Sequence, residues 1–220
     1  LPFFFAEREG GRAVIKGVDA AHLTRSLRAR PGEEIQVVDP NGWLLTVRLE
    51  SVSVKRVEGA ILAEQEHRPE PTRRVVVAIS HLPAVSLELV LSRCTEVGAY
   101  AFHILQAERS VARGGRPERW QTIVREAAML AGRLRVPTVA GPSPLEELLH
   151  EQANPVMLVR GAPKELSAMP MSGEVTLLIG PEGGWTEREL ATVETHAGLG
   201  PRNLRADTAA IVATATAVGF

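Results

Sequence analysis

A glutamate inside a glycine turn and an arginine just ahead of a helix are the residues of this sequence best placed to do chemistry. The glutamate is Glu182, in Gly180-Pro181-Glu182-Gly183-Gly184. The apolar run Val175 to Ile179 leads into this turn, and Thr186 and Glu189 follow at the spacing of a helix capping box. A strand, a glycine turn and a helix start often cradle a phosphate. Glu182 repels one, and no lysine follows, so the P-loop pattern is absent. A dinucleotide fingerprint is absent too, because its glycines follow the first strand of their unit. A cationic ligand suits the turn better. Positive φ is expected at Gly183, where a β-branched residue is strained. The bland alternative is a tight reversal and nothing more. Against it stands the place of the turn, at the carboxyl end of a presumed parallel strand, where open α/β sheets bind ligands.

The arginine is Arg205, in "LGPRNLRADTAA", Leu199 to Ala210. Gly200 and Pro201 force a turn, and Asp207 is the expected cap of the last helix. Arg202 reads as a surface residue. Arg205 stands between a glycine turn and a helix N-terminus, so a functional role is expected for it. A third signal is charge. Seven arginines (109, 113, 116, 119, 125, 133 and 135) face Glu118 and Glu126, and seven less two leaves a local excess of five positive charges. Charge runs are usually solvated faces, but an excess of one sign near an α/β site leans toward phosphate contact. Arg25 and Arg28 could extend it.

Other chemistries are poorly represented. The six histidines are dispersed with no ligand spacing, so no metal is expected. Cys94 is the only cysteine, which excludes an internal disulfide and suits a reducing, cytoplasmic setting. No apolar run reaches membrane-spanning length. The formal net charge of -1 does not advertise a nucleic-acid partner, although a local patch is enough for one.

These residues need elements to position them. Residues 1–68 read as short strands joined by tight turns, around one helix expected over Asp19 to Ala29, with Asp19 as cap and Pro31-Gly32 as stop. That pattern suggests a small β-barrel. Residues 66–74, charged and proline-rich, read as a linker. From Val75 the texture changes. "VVVAIS", "AFHILQ", "PVMLV" and "VTLLIG" are strands covered on both faces. A helix over Leu87 to Val97 ends at Gly98, Pro117 opens another, and an Ala/Thr-rich helix runs from Asp207. Alternating strands and helices mean a parallel α/β sheet.

Together, "LLIGPEGG" (177–184) and "LGPRNLRADTAA" (199–210) resemble the SPOUT methyltransferases, and more narrowly the RsmE family, which methylates N3 of one uridine in small-subunit (16S) ribosomal RNA. "RCTEVGA" (93–99), "ERS" (108–110), "RWQTIVREAA" (119–128) and "GRLRVP" (132–137) support the resemblance. "HLTRSLRARPGEEIQVVD" (22–39) looks like that family's PUA-like barrel. The resemblance implies a PUA-like, RNA-binding β-barrel over 1–70 and a trefoil-knotted α/β methyltransferase domain over 75–220. It implies S-adenosylmethionine as cofactor, held by turns at 180–184 and 199–205 and by a third turn after the strand at 156–159. The expected cofactor residues are Leu158, Ile179, Gly180, Pro181, Gly183, Gly184, Leu199, Gly200, Pro201 and Leu204. Arg205 is expected to stabilise charge on the uracil oxygens, and Glu182 is the weaker candidate for proton removal. Arg25, Arg28, Arg109, Arg113, Arg116 and Arg133 are the expected RNA contacts. A homodimer acting on the assembled small subunit is implied as well. The family usually has a lysine-bearing turn after "HLP", whereas Ala84 and Val85 follow here, and the strand before Leu199 is nearly absent. A non-enzymatic RNA clamp with a decayed knot is the alternative.

Overall fold

The computed structural model describes residues 2–220, which divide into two compact units. The first contains residues up to Glu70 together with Ala128–Val136. Its strands are β1 (Phe4–Phe5), β2 (Glu7–Glu9), β3 (Arg12–Lys16), β4 (Glu34–Asp39), β5 (Trp43–Val52) and β6 (Arg56–Glu66), with helix α1 (Gly17–Arg25) after β3. They form one sheet in the order β1-β4-β5-β6-β3-β2, antiparallel except for the parallel β1/β4 pair. The two outermost strands are consecutive in the chain and separated by Ala6 alone. The sheet must therefore curl until its two edges almost meet. Leu45, Val47 and Leu49 alternate inward along β5 and pack with Phe4, Leu23 and Met129. Gly59 is needed where β5 bulges, because a Cβ there would collide with the Arg48 carbonyl and the Val47 side chain.

Helix α1 departs from expectation. It starts at Gly17, so Asp19 lies in its first turn, buried, and Lys16 is the N-cap residue. It stops well before Pro31-Gly32, and Arg28 takes φ +54° in the loop that follows.

The second unit holds Pro71–Ala127 and Pro137–Phe220. Its strands are β7 (Arg74–Ser80), β8 (Ala101–Leu105), β9 (Thr138–Ser143), β10 (Pro155–Leu158), β11 (Glu174–Ile179) and β12 (His196–Ala197). They are parallel throughout, in the order β12-β10-β11-β7-β8-β9. Residues 75–80 and 175–179 are buried without interruption, which is the reason their sequences do not alternate. The helices are α2 (Ala84–Val97), α3 (Pro117–Leu130, whose last residues group with the first unit), α4 (Leu145–Glu151), α5 (Glu187–Leu190) and α6 (Ala206–Val218). Gly98 closes α2 at φ +114°. Helices α2 and α6 pack through small residues, Ala210, Ala213, Thr214 and Ala217. The Thr214 hydroxyl lies 3.4 Å from Cys94 Sγ, and burial pushes the Cys94 thiol up to about 12, so it is inert at neutral pH.

Strand β9 and helix α4 escape a reading of sequence patterns, because "TVAGPS" carries Gly-Pro inside a strand. Among the described residues no helix is long and apolar enough to cross a membrane, and no group of three or more potential ligands could hold a metal ion.

Candidate functional site

Three turns follow the carboxyl ends of β11, β10 and β12, and they line one cavity of about 470 Å³. That volume lies within the roughly 300–1,000 Å³ of small-molecule sites. The turn after β11 is tied down on every side. Gly184 N–H donates to the Pro181 carbonyl (2.9 Å), and the positive φ falls on Gly184 (+69°). Gly183 is not in the left-handed region, so the expectation of positive φ there is corrected. Its constraint is space instead, since a Cβ would sit 3.3 Å from Arg109 Cβ. The capping box is present: Thr186 N–H donates to Glu189 Oε2 (2.8 Å) and Glu189 N–H to Thr186 Oγ1 (3.2 Å). Glu189 Oε1 also accepts from Glu108 N–H (2.9 Å). Arg109 Nη1 donates to the carbonyls of Gly183 (2.9 Å) and Trp185 (3.2 Å). The Trp185 indole N–H reaches the Leu158 carbonyl (3.2 Å), joining this turn to the one after β10.

The turn from Leu199 to Arg205 is held more lightly. Gly200 has φ +88°, and its N–H donates to Glu165 Oε2 (2.6 Å). Pro201, Arg202, Asn203 and Arg205 are exposed. Arg205, not Asp207, occupies the N-cap position of α6. Asp207 lies in the first turn, where it accepts from Ser86 Oγ (3.1 Å) and Thr208 N–H (2.7 Å). Burial raises its pKa, but those bonds and the nearby Arg205 outweigh it, so the carboxylate is held below its usual value.

Most expected cofactor residues meet at this cavity. Leu158, Ile179, Gly180, Pro181, Gly184, Leu199, Gly200 and Leu204 all line it. Gly183 and Pro201 do not line it. Glu182 and Arg205 both do, each on an exposed rim. Sequence reasoning passed over Trp185, Ala206, Ala209 and Arg160. A tryptophan directly after a glycine pair was a usable signal for the first, and the others carried none. Three arginines (160, 202 and 205) share the rim with Glu182, so the charge of the Gly180 turn alone does not select a cation.

The arginines expected to touch RNA fall into different settings. Arg25 and Arg28 are exposed on the first unit, and Arg113 and Arg116 are exposed on the second. Arg113 Nη1 donates to the Ser110 carbonyl (2.6 Å). Arg109 is the clamp on the Gly180 turn. Arg133 is only 3% exposed, and its guanidinium meets Glu70 at 2.5 Å, so it is an internal ion pair and not an open phosphate contact.

The parallel sheet with its ligand cavity at the carboxyl ends of the strands matches a known class. A model of the RNA methyltransferase domain matches residues 68–218. The ribosomal RNA small subunit methyltransferase E of Mycobacterium bovis (strain ATCC BAA-935 / AF2122/97) is 34% identical over 225 residues, covering 93% of this chain and 85% of its own length. That of Bacillus subtilis (strain 168) is 28% identical over 221 residues, covering 90% and 86%. Among solved structures, the ribosomal RNA small subunit methyltransferase E from Neisseria gonorrhoeae bound to S-adenosyl methionine superposes with a TM-score of 0.85. It is 28% identical, and the match covers 98% of this chain and 95% of that one. The chain belongs to the ribosomal RNA small subunit methyltransferase E family.

Proposed function

We propose that this protein is an S-adenosylmethionine-dependent methyltransferase acting on N3 of a uridine in small-subunit ribosomal RNA. The observation that carries this reading is the cavity formed by three turns after adjacent parallel strands. The residues present fit the cofactor. A Cβ on Gly184 or Gly200 would meet no protein atom within 4 Å, so both turns face open space where a ligand backbone can approach. Trp185, Leu190 and Ala197 supply apolar wall for an adenosine. Rim groups of both signs suit an amino acid end with an ammonium and a carboxylate.

When bound, the cofactor supplies an electrophilic methyl group on a sulfonium. The chain's own residues must hold the uracil in line with it, which is a proximity effect. They must also accommodate the negative charge that grows on the imide as its proton leaves. Arg205, on the rim, is the candidate for that stabilisation. Glu182 is the weaker candidate for receiving the proton. The clamp reading is not favoured, because the cavity is built in full.

The same proposal extends to architecture. Residues 195–200 are bonded on one side to β10 (Met157 N–H to Thr195 O and Val159 N–H to Ala197 O, 2.9 Å each). On the other side they are bonded to the stretch that follows it (Gly198 N–H to Lys164 O, 2.8 Å; Leu166 N–H to Gly198 O, 2.9 Å). Residues 195–200 thus run between two segments of one connection, an arrangement compatible with a trefoil knot in the 75–220 domain. The curled sheet of residues 1–70 supports a PUA-like barrel that binds RNA. Val85 (84% exposed), Leu89 (41%) and Val212 (40%) leave an apolar face on the packed pair α2 and α6, which supports a homodimer. The setting is cytoplasmic, and the substrate is the assembled small subunit.

The test is calorimetric titration with S-adenosylmethionine, followed by nucleoside mass spectrometry of ribosomal RNA from undermethylated small subunits. Binding and the appearance of 3-methyluridine are expected. RNA binding without cofactor binding would restore the clamp.

A further inference from the structure

The rim of the cofactor cavity carries an excess of positive charge that the fold leaves uncompensated. Arg160, Arg202 and Arg205 line the cavity, and Glu182 is the only acidic residue among the described ones that does. Arg205 has a carboxylate close by, since its charge acts on Asp207. Arg160 and Arg202 are exposed, and among the described residues neither makes an ion pair or a side-chain hydrogen bond. Elsewhere on the surface, exposed arginines meet carboxylates of their own fold. Arg48 meets Glu34 at 2.8 Å, Arg93 meets Glu96 at 2.6 Å, and Arg119 meets Glu88 at 3.1 Å. The acidic residue nearest Arg160 in sequence on its own turn, Glu165, is bonded to Gly200 N–H instead (2.6 Å). The two free arginines stand on neighbouring turns. Strands β10 and β12 pair in parallel with Leu158 opposite Ala197, and Arg160 follows the one and Arg202 the other.

A guanidinium is a planar fork that matches the oxygens of a carboxylate or a phosphate. The proposed cofactor has one carboxylate, but an ammonium and a sulfonium accompany it, so its net charge is positive. Seating it adds to the positive excess at the rim and does not balance it. The other reactant is a nucleotide of RNA, which brings a phosphate on each side of its sugar. A base taken out of its stack can enter the cavity mouth. Its phosphates cannot follow, because a charge is costly to bury, and they come to lie at the rim.

We infer that Arg160 and Arg202 grip the two phosphates that flank the target uridine, one arginine to each. This rests on the proposed methyl transfer and names the residues that seat its nucleotide. Arg205 is left to the base. The grip offsets part of the unstacking energy of the displaced nucleotide, and it does so equally before and during the chemical step. These contacts form only with the nucleotide seated, so they belong to one place in the RNA. Contacts from an open loop would instead fall on any backbone.

The experiment uses small subunits that lack the modification, lightly ethylated at their RNA phosphates, with Arg160→Ala and Arg202→Ala beside the parent. Ethylation removes a phosphate's charge, so subunits ethylated at a gripped phosphate should be missing from the bound fraction. With the parent, both phosphates next to the methylated uridine should show this exclusion. Each variant should lose it at one of the two, and the variants at different ones. Over a salt series each variant should lower the log–log slope of binding by roughly 0.7. S-adenosylmethionine affinity should be unchanged. KM for the small subunit should rise with little change in kcat, as for a contact made equally in ground and transition states. Parental exclusion patterns in both variants would overturn the assignment. So would a fall in cofactor affinity, which would give that arginine to the cofactor's carboxylate. A parent that neither binds S-adenosylmethionine nor methylates would sink the methyl-transfer reading instead, and the exclusion map would still judge whether each arginine holds one phosphate.

Discussion

The Gly180–Trp185 turn and the Leu199–Arg205 turn line one cavity but are built on opposite plans. The first is fixed by a capping box, by two bonds from Arg109 and by the Trp185 indole. The second is held to the rest of the chain by the bond from Gly200 N–H to Glu165, and most of its side chains are exposed. A wall preorganised by its own fold loses little freedom when a ligand arrives. A lightly held rim can follow a substrate and bring a charged group to it. Under the proposed function, this contrast would put cofactor affinity mainly on the first turn and charge stabilisation on the second.

The largest effect tests the second turn. Arg205→Ala should reduce the methylation rate on the order of a hundredfold or more, the usual loss for one donor aimed at developing charge. Cofactor affinity by calorimetry should hardly change. An equal loss of affinity would make both turns cofactor clamps and erase the contrast. Next comes the first turn. Gly184→Val places a β-branched residue at φ +69° with its side chain in open space beside the turn, so the turn should distort and cofactor affinity fall on the order of tenfold. Gly183→Ala should do far less, because only a 3.3 Å approach to Arg109 Cβ must relax. Equal affinities for the two variants would show that the backbone of this turn does not set binding. Arg109→Ala removes two bonds to turn carbonyls, one exposed and one partly buried. It should weaken the cofactor by about 1 kcal/mol, some fivefold, since a typical net hydrogen bond has that value. It should leave the salt dependence of RNA binding as it was. A changed salt slope with unchanged cofactor affinity would make Arg109 an RNA contact and not a clamp.

The sequence showed the first turn better than the second, for a physical reason. Thr186, Glu189 and the glycines act locally, through spacing and backbone freedom, so their pattern can be read from the chain alone. The parallel sheet was legible for a similar reason, since 75–80 and 175–179 are apolar without alternation. What could not be read depends on distant partners. Nothing near Arg133 announces Glu70, and nothing near Arg109 announces the Gly183 carbonyl. The N-cap of α6 was misread because Asp207 is the commoner cap type, while its carboxylate is used by Ser86, far away in sequence. The cap of α1 failed likewise, because the turn to helix begins at Lys16-Gly17, ahead of Asp19.

The smallest expected effect separates open arginines from clamping ones. Arg113 and Arg116 are exposed on the segment ahead of α3, and Gly114 (φ +75°) gives that segment a backbone shape other residues resist. If they grip RNA phosphates, each contact releases counterions, and removing one should reduce the log–log salt slope by roughly 0.7 to 0.9. The loss should be the same for every RNA sequence, because phosphates carry no sequence information. Arg116→Ala is the cleaner variant. Arg113 also bonds the Ser110 carbonyl, so its removal loosens the loop it sits on as well. Arg133 is the internal control. Its charge is already spent on Glu70, so Arg133→Met should cost stability, leaving the Glu70 carboxylate without its cation and with only the Leu134 N–H bond, and should not change the slope of the folded protein. The measurement is RNA affinity across a salt series for the parent and both variants. If Arg116→Ala keeps the parental slope, the 113–116 segment is a solvated face, and the phosphates dock through Arg25 and Arg28 on the first unit.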